Sequence, residues 1–170
     1  MKKTIFFALL LSVPVLMNAQ KSNEIDLSVV HNFNSKLNGV SGSFIHNYSE
    51  KWAAALDISY FPGGTRTESS ITTKSSAFEI SCKAYYKMPI SKYWEIFPIL
   101  GVSHTWDKET ETVFGPTTLI TESKENYFSV LPGIGIKAKN SKFAPFAEFL
   151  YSTGTKNQPI IFVGLSHELK

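Results

Sequence analysis

The residue types able to do chemistry in this 170-residue chain are scarce. They are four histidines (His31, His46, His104, His167), one cysteine (Cys82), and the run Ser166-His167-Glu168, which holds the side-chain types of a hydrolytic triad. What they can do depends on the backbone that carries them. Successive side chains of a strand point to opposite faces, which separates Ser166 and Glu168 from His167. Two positions on from the histidines, on the same face, stand Phe33, Tyr48, Trp106 and Leu169, so none has a serine nucleophile beside it. The histidines fall in separate segments at different depths, which disfavours a shared metal. Cys82 reads as a small hydrophobe and, being alone, can form no intramolecular disulfide. The expectation is no catalysis, no metal and no cofactor.

Charged residues are the other candidates, and their positions count in twos. In "ISKYWEIFPILGVSHTW", residues 90–106, one parity holds Trp94, Ile96, Pro98, Leu100, Val102, His104 and Trp106. The other holds Glu95, Phe97, Ile99, Gly101, Ser103 and Thr105. This is a strand's period, and Pro98 and Gly101 oppose a helix. The two tryptophans, twelve residues apart, are separated along a strand by about 40 Å at about 3.3 Å per residue. With a tilt of about 40° that projects to roughly 30 Å, near the apolar band of about 25 Å in a membrane barrel.

Seven further segments alternate in the same way. "KWAAALDISYF" sets Trp52, Leu56, Ile58 and Tyr60 against Asp57, and "AFEISCKAYYK" sets Phe78, Ile80 and Tyr86 against Glu79, Lys83 and Lys87. "EIDLSVVHNF", "VSGSFIHNY", "YFSVLPGIGIKA" and "IIFVGLSHEL" follow the rule, and in "KFAPFAEFLYS", apolar on both faces, Glu148 selects the inward one. Eight strands and no helix result. The inward parity collects Asp26, Asp57, Glu79, Lys83, Lys87, Glu95, Lys137, Glu148 and Glu168 as a lumen polar network. The outward parity places Trp52, Tyr60, Trp94, Trp106, Phe128, Phe143 and Tyr151 as membrane-interface aromatics. Eight strands leave an interior just wide enough for side chains to fill, so these charges should pair rather than line an open channel.

The connections alternate too. Short turns carry a lysine close before an aromatic at a strand start: Ser49-Glu50-Lys51-Trp52, Ser91-Lys92-Tyr93-Trp94 and Ser141-Lys142-Phe143. There the ammonium stays wet while the ring sits at headgroup depth. Opposite them lie longer loops at 62–76 and 107–126, the second with a β-prone core that predicts a protruding hairpin around Gly115-Pro116.

The first twenty residues, "MKKTIFFALLLSVPVLMNAQ", have the basic start, apolar run and small residue of a secretory signal, with removal expected after Ala19. Residues 1–19 are then a signal peptide and 20–170 one barrel domain. Without Lys2 and Lys3 the net charge falls from +3 to +1, which leaves no basic excess for nucleic acid.

Taken together, the signal, eight alternating strands, long loops on one side, and short turns followed by strand starts such as Lys51-Trp52 and Tyr93-Trp94 resemble the small eight-stranded outer-membrane β-barrel family, the OmpA-transmembrane-domain and OmpX-like group. The resemblance implies an all-β, antiparallel up-and-down transmembrane barrel in the bacterial outer membrane, with short periplasmic turns and longer extracellular loops. Where family members commonly end on an aromatic residue, this chain ends on Leu169 and Lys170. Some barrels of this size modify lipid A with an outward His and Ser, and the neighbours of the four histidines do not supply that pair. The reading is a monomeric, non-enzymatic envelope protein in contact with outer-membrane lipid, meeting any surface partner through loops 62–76 and 107–126. The alternatives are a soluble lipocalin-like barrel holding a small apolar ligand, which needs the greasy face inward, and a narrow porin-like channel.

Overall fold

Alternation of this kind can bury only one face of each strand, and closure of the sheet on itself removes the unpaired edges. The computed structural model describes residues 22–68, 71–113, 118–139 and 142–169, apart from the side chains of residues 66 and 68. The signal segment, the Gly115-Pro116 tip, Ser141 and Lys170 lie outside the described residues.

Eight long strands run in chain order: β1 (Ser22–Asn32), β2 (Leu37–Asn47), β3 (Trp52–Glu68), β4 (Ile71–Tyr86), β5 (Trp94–Val113), β6 (Leu119–Ala138), β7 (Ala144–Gly154) and β8 (Gln158–Leu169). A two-residue piece, Met88–Pro89, continues past β4 and pairs with the start of β5. Each strand pairs antiparallel with its chain neighbours, and β1 with β8 (Asn23↔Leu169 to Asn32↔Ile160) closes an up-and-down barrel of eight strands.

A narrow bore leaves little room, and glycines mark where it is tightest. Gly135 lies opposite Phe97 and Gly133 opposite Leu150, so the larger side chain of each pair occupies the space its partner vacates. Gly101 does the same for Lys83. At mid-height Leu131 and Leu150 are 0% exposed, and Val30, Ile160 and Phe162 are buried around them. Pro132, with no N–H to donate, lies where the β6–β7 ladder skips from Val130↔Thr153 to Gly133↔Leu150.

Outside, the belt is apolar. Leu27, Val29, Leu56, Ile58, Leu100, Val102, Val163 and Leu165 are all about half exposed or more. Aromatics bound it at both ends. Trp52 packs on Tyr86 at the short-turn end, and Tyr60, Phe78 and Trp106 stand side by side across β3, β4 and β5 at the other, with Phe78 and Trp106 5.6 Å apart. Trp94, Phe143 and Tyr151 are exposed on the same outer surface, and Phe128 is 74% exposed.

Segment 62–76, read from its Gly, Ser and Thr content as a loop, is largely paired strand. β3 runs on to Glu68 and β4 begins at Ile71, with a register shift between Phe61 and Gly64 around Gly63 at φ 102°. Thr65, Thr67, Thr72 and Thr73 are β-branched and extend readily, and β5 offers a partner ladder from Ile71↔Val113 onward. Segments 107–113 and 119–126 continue β5 and β6 as a projecting hairpin. β3 to β6 therefore rise above the rim as a four-stranded sheet, while β1, β2, β7 and β8 stop near it.

The seam between β1 and β8 sets a test. A Cβ at Gly164 would strike the Leu27 carbonyl and the backbone of Ser28, whereas one at Gly42 meets only Leu27 Cδ2 at 3.8 Å. Gly164→Val is expected to abolish the fast-migrating band that a closed barrel gives on unboiled electrophoresis, and Gly42→Ala to retain it.

Candidate functional site

The ionisable side chains fall into three tiers along the barrel axis. At the short-turn end the hub is Glu24, buried on β1. It accepts from Asn47 Nδ2 (2.7 Å), Lys87 Nζ (3.0 Å) and Ser166 Oγ (3.0 Å), and pairs with Lys137. Lys87 also donates to Asn47 Oδ1 at 2.6 Å. On the turn side of this hub a cavity of about 710 Å³ opens to the outside, lined in part by Lys87, Glu95, Lys137 and Glu168.

The middle tier is centred on Lys83, whose Nζ lies 2.8 Å from both Asp57 Oδ2 and Glu148 Oε2. Ser81 Oγ donates to the same Asp57 oxygen at 2.9 Å, and the ammonium sits 4.4 Å from the centre of the Phe162 ring. Three strands, β3, β4 and β7, thus meet at one cation. Above it Glu79, also buried, accepts from Thr105 Oγ1 at 2.8 Å. A layer of hydroxyls surrounds it, with Ser59 donating to Ser41 at 2.9 Å and the Ser129 hydroxyl buried without a partner among the described residues.

At the projecting end the short β7–β8 connection turns inward. Lys156 Nζ reaches Asp107 Oδ2 (2.7 Å) and Glu125 Oε2 (3.2 Å) and lies over the Tyr127 ring. Partial burial works against its charge, but the hydrogen bond to and attraction of Asp107, with help from Glu125, outweigh it and hold this ammonium well above the ordinary lysine range.

The structure places the anticipated inward residues in different settings. Asp57, Lys83 and Glu148 form one cluster, and Lys87 and Lys137 another. Asp26 and Glu95 are buried with no ion-pair partner among the described residues, and Glu168 sits exposed at the rim. Glu24, the hub, was not among the residues singled out, although it opens the β1 alternation on the same parity as Asp26. The serines of the short turns were missed as well. Ser49 Oγ accepts from the backbone N–H of Lys51 (3.3 Å) and Trp52 (3.1 Å), and Ser91 Oγ from those of Tyr93 and Trp94 (both 3.1 Å), so each hydroxyl closes its turn.

Each histidine lies against an aromatic ring, mostly edge to face. His31 meets Phe33, His46 meets Tyr48, His104 lies 4.3 Å from both Trp106 and Phe128, and His167 stacks on Phe143. The Nδ1 atoms of His31, His46 and His167 are hydrogen-bonded to Asn38, Asn23 and the Lys142 carbonyl, which ties them to neighbouring strands.

Removing one member of a buried ion cluster costs more than the cluster contributes, because the remaining charges stay desolvated. Lys83→Ala leaves Asp57 and Glu148 facing each other and is expected to lower unfolding stability in detergent micelles by about 3–5 kcal/mol. Lys83→Met combined with Asp57→Asn and Glu148→Gln is expected to recover most of that loss.

No protein-family model matches the sequence, and no curated protein matches it significantly. Solved structures do. The attachment invasion locus protein Ail of Yersinia pestis is similar over 88% of this chain and 97% of its own, at 16% identity and a TM-score of 0.58. Ail has also been solved in complex with the heparin analogue sucrose octasulfate. A major outer membrane protein of Thermus thermophilus matches over 88% and 99%, at 8% identity and a TM-score of 0.69. The N-terminal β-barrel domain of Pseudomonas aeruginosa OprF matches over 88% and 100%, at 12% identity and a TM-score of 0.54. With its closed ring of eight antiparallel strands, the chain has the fold of the small eight-stranded outer-membrane β-barrels.

Proposed function

We propose that the protein is an integral, non-enzymatic barrel of a bacterial outer membrane that acts at the cell envelope through its projecting sheet. The observation that carries this reading is the reversal of sidedness. The outer belt is apolar and edged by aromatics, while Lys83, Asp57, Glu79 and Glu148 are buried within. A soluble barrel built this way would leave a ring of Leu, Val, Ile, Trp and Phe in water, far beyond the few hundred Å² of contiguous apolar patch usual on soluble monomers. The lipocalin-like alternative needs the opposite arrangement, and the apolar side chains filling mid-bore around Leu131 and Leu150 leave no room for a ligand there.

The same filling favours a closed lumen over a channel. The ion pairs of Lys83, Lys87 and Lys137 tie strands together, and the seven outward aromatics, Trp52 to Tyr151, anchor the barrel at the two interfaces. Residues 1–19 serve as the export signal, and the short turns face the periplasm with the projecting sheet outside. The outward histidines lack a nucleophile beside them, in keeping with a protein that performs no hydrolysis. Contact with other molecules falls to the projecting strands. Among the described residues β6 has no ladder partner on its β7 side before Ser129, which leaves its backbone from 119 to 128 open to an added strand.

Expressed with its signal, the protein is expected in the outer-membrane fraction, migrating faster unboiled than boiled and giving no steady conductance in planar bilayers. Recovery as a soluble chain without a heat shift would overturn the reading. Deletion of residues 112–121 is expected to leave the heat shift intact and to reduce adhesion of expressing cells to host-cell monolayers.

A further inference from the structure

The projecting sheet is charged differently on its two faces, and the cause is plain alternation. On β5, Asp107, Glu109 and Glu111 share the parity of the inward Thr105, while Lys108 and Thr110 share that of the outward Trp106. On β6, Glu125 turns inward to Lys156, and Glu122, Lys124 and Asn126 turn outward. On β4, Lys74 and Ser76 share the outward parity of Phe78. Asp107, Glu109, Glu111 and Glu125 thus gather over this end of the bore. The lysines gather on the face that continues the apolar outer surface of the barrel.

Those lysines meet at a built depression. The register shift between Phe61 and Gly64 dents the sheet, and Gly63, Thr65, Lys74, Ser76, Lys108 and Thr110 line a hollow of about 350 Å³. That is roughly a dozen times the volume one water occupies in the liquid, room for a phosphorylated sugar. Lys74 has no acidic partner among the described residues. Glu122 alone is shared between Lys108 (3.2 Å) and Lys124 (3.1 Å), and their hydrogen bonds hold its carboxyl below the usual range. The outer face therefore keeps an excess of positive charge with hydroxyls beside it.

Height identifies the occupant. Lys108 lies two residues beyond Trp106 and Lys74 four beyond Phe78, which at a tilt of about 40° puts their Cα atoms roughly 5 and 10 Å above the aromatic girdle. The headgroup layer of a bilayer leaflet is about 5–8 Å thick. A flexible lysine stem spans the difference. We infer that this hollow binds the phosphate of an outer-leaflet glycolipid headgroup, with Lys74 and Lys108 as the charge partners and Thr65, Ser76 and Thr110 as hydrogen-bond donors. The inference rests on the outer-membrane reading above and adds to it a ligand class.

The test uses the full-length mature barrel in neutral detergent micelles doped with bisphosphorylated lipid A or with the same lipid stripped of phosphate, retention being read by native mass spectrometry. At least about tenfold preference for the phosphorylated lipid is expected, consistent with several lysines acting near a charged surface. Lys74→Ala with Lys108→Ala and Lys124→Ala is expected to erase that preference while keeping the heat-shifted band, and Glu122→Ala to strengthen retention. If the triple variant loses the band, Lys74→Gln alone, an exposed site, is expected to weaken retention at least about threefold. Equal retention of the two lipids, indifference to the lysine substitutions, or full competition by millimolar inorganic phosphate would overturn the inference. A soluble chain without a heat shift would instead defeat the outer-membrane reading, whereas an inserted barrel blind to phosphate defeats this inference alone.

Discussion

The bore of an eight-stranded barrel is so narrow that no inward side chain is independent of the one across from it. Gly135 is small because Phe97 is large, and Gly133 makes room for Leu150. The same constraint governs charge. Lys83 can be buried only because Asp57 and Glu148 reach it from two other strands, and Glu24 only because Lys87, Lys137 and Asn47 converge on it. Apolar packing and ion pairing are therefore one problem of filling, solved layer by layer, and the outer surface is left free to be uniformly apolar.

That freedom ends at the rim. Above it the sheet no longer wraps a filled bore, and β3 to β6 continue without β1, β2, β7 and β8. Charged residues stand on both faces there, with Asp107, Glu109, Glu111 and Glu125 inward, and Lys74, Lys108 and Lys124 outward around Glu122. Lys156 fastens the inner face to the shorter half of the barrel through Asp107 and Glu125, so the projecting sheet is held at its base as well as by its ladders.

Much of this was legible because a strand's period is the plainest signal a sequence carries. Asp57, Glu79 and Lys83 stand on the parity opposite Leu56, Ile58, Phe78 and Ile80, and the eight-stranded fold follows from repeating that contrast. Which charges meet was not legible. Lys83 and Glu148 are brought together by the stagger of strands around the barrel, a global property with no local sequence mark. Glu24 was overlooked because it sits at a strand end, where alternation has just begun. Segment 62–76 looked like a loop because Gly63 and Gly64 signal a turn, yet here they form a bulge inside a ladder, and the threonines beyond them extend. The turn serines were hidden by their neighbours, the lysines and aromatics that drew attention first.

The pairing of β1 with β8 has a kinetic side. Every other ladder joins neighbours in the chain and can form as a hairpin, but Asn23 meets Leu169 across almost the whole domain. Until the final strand has emerged, β1 and β7 are open edges, and the entropy of closing so long a loop must be met before the seam returns any of it. Residues 158–169 thus act as the step that commits the molecule. A chain lacking them would present two sticky edges instead of a ring.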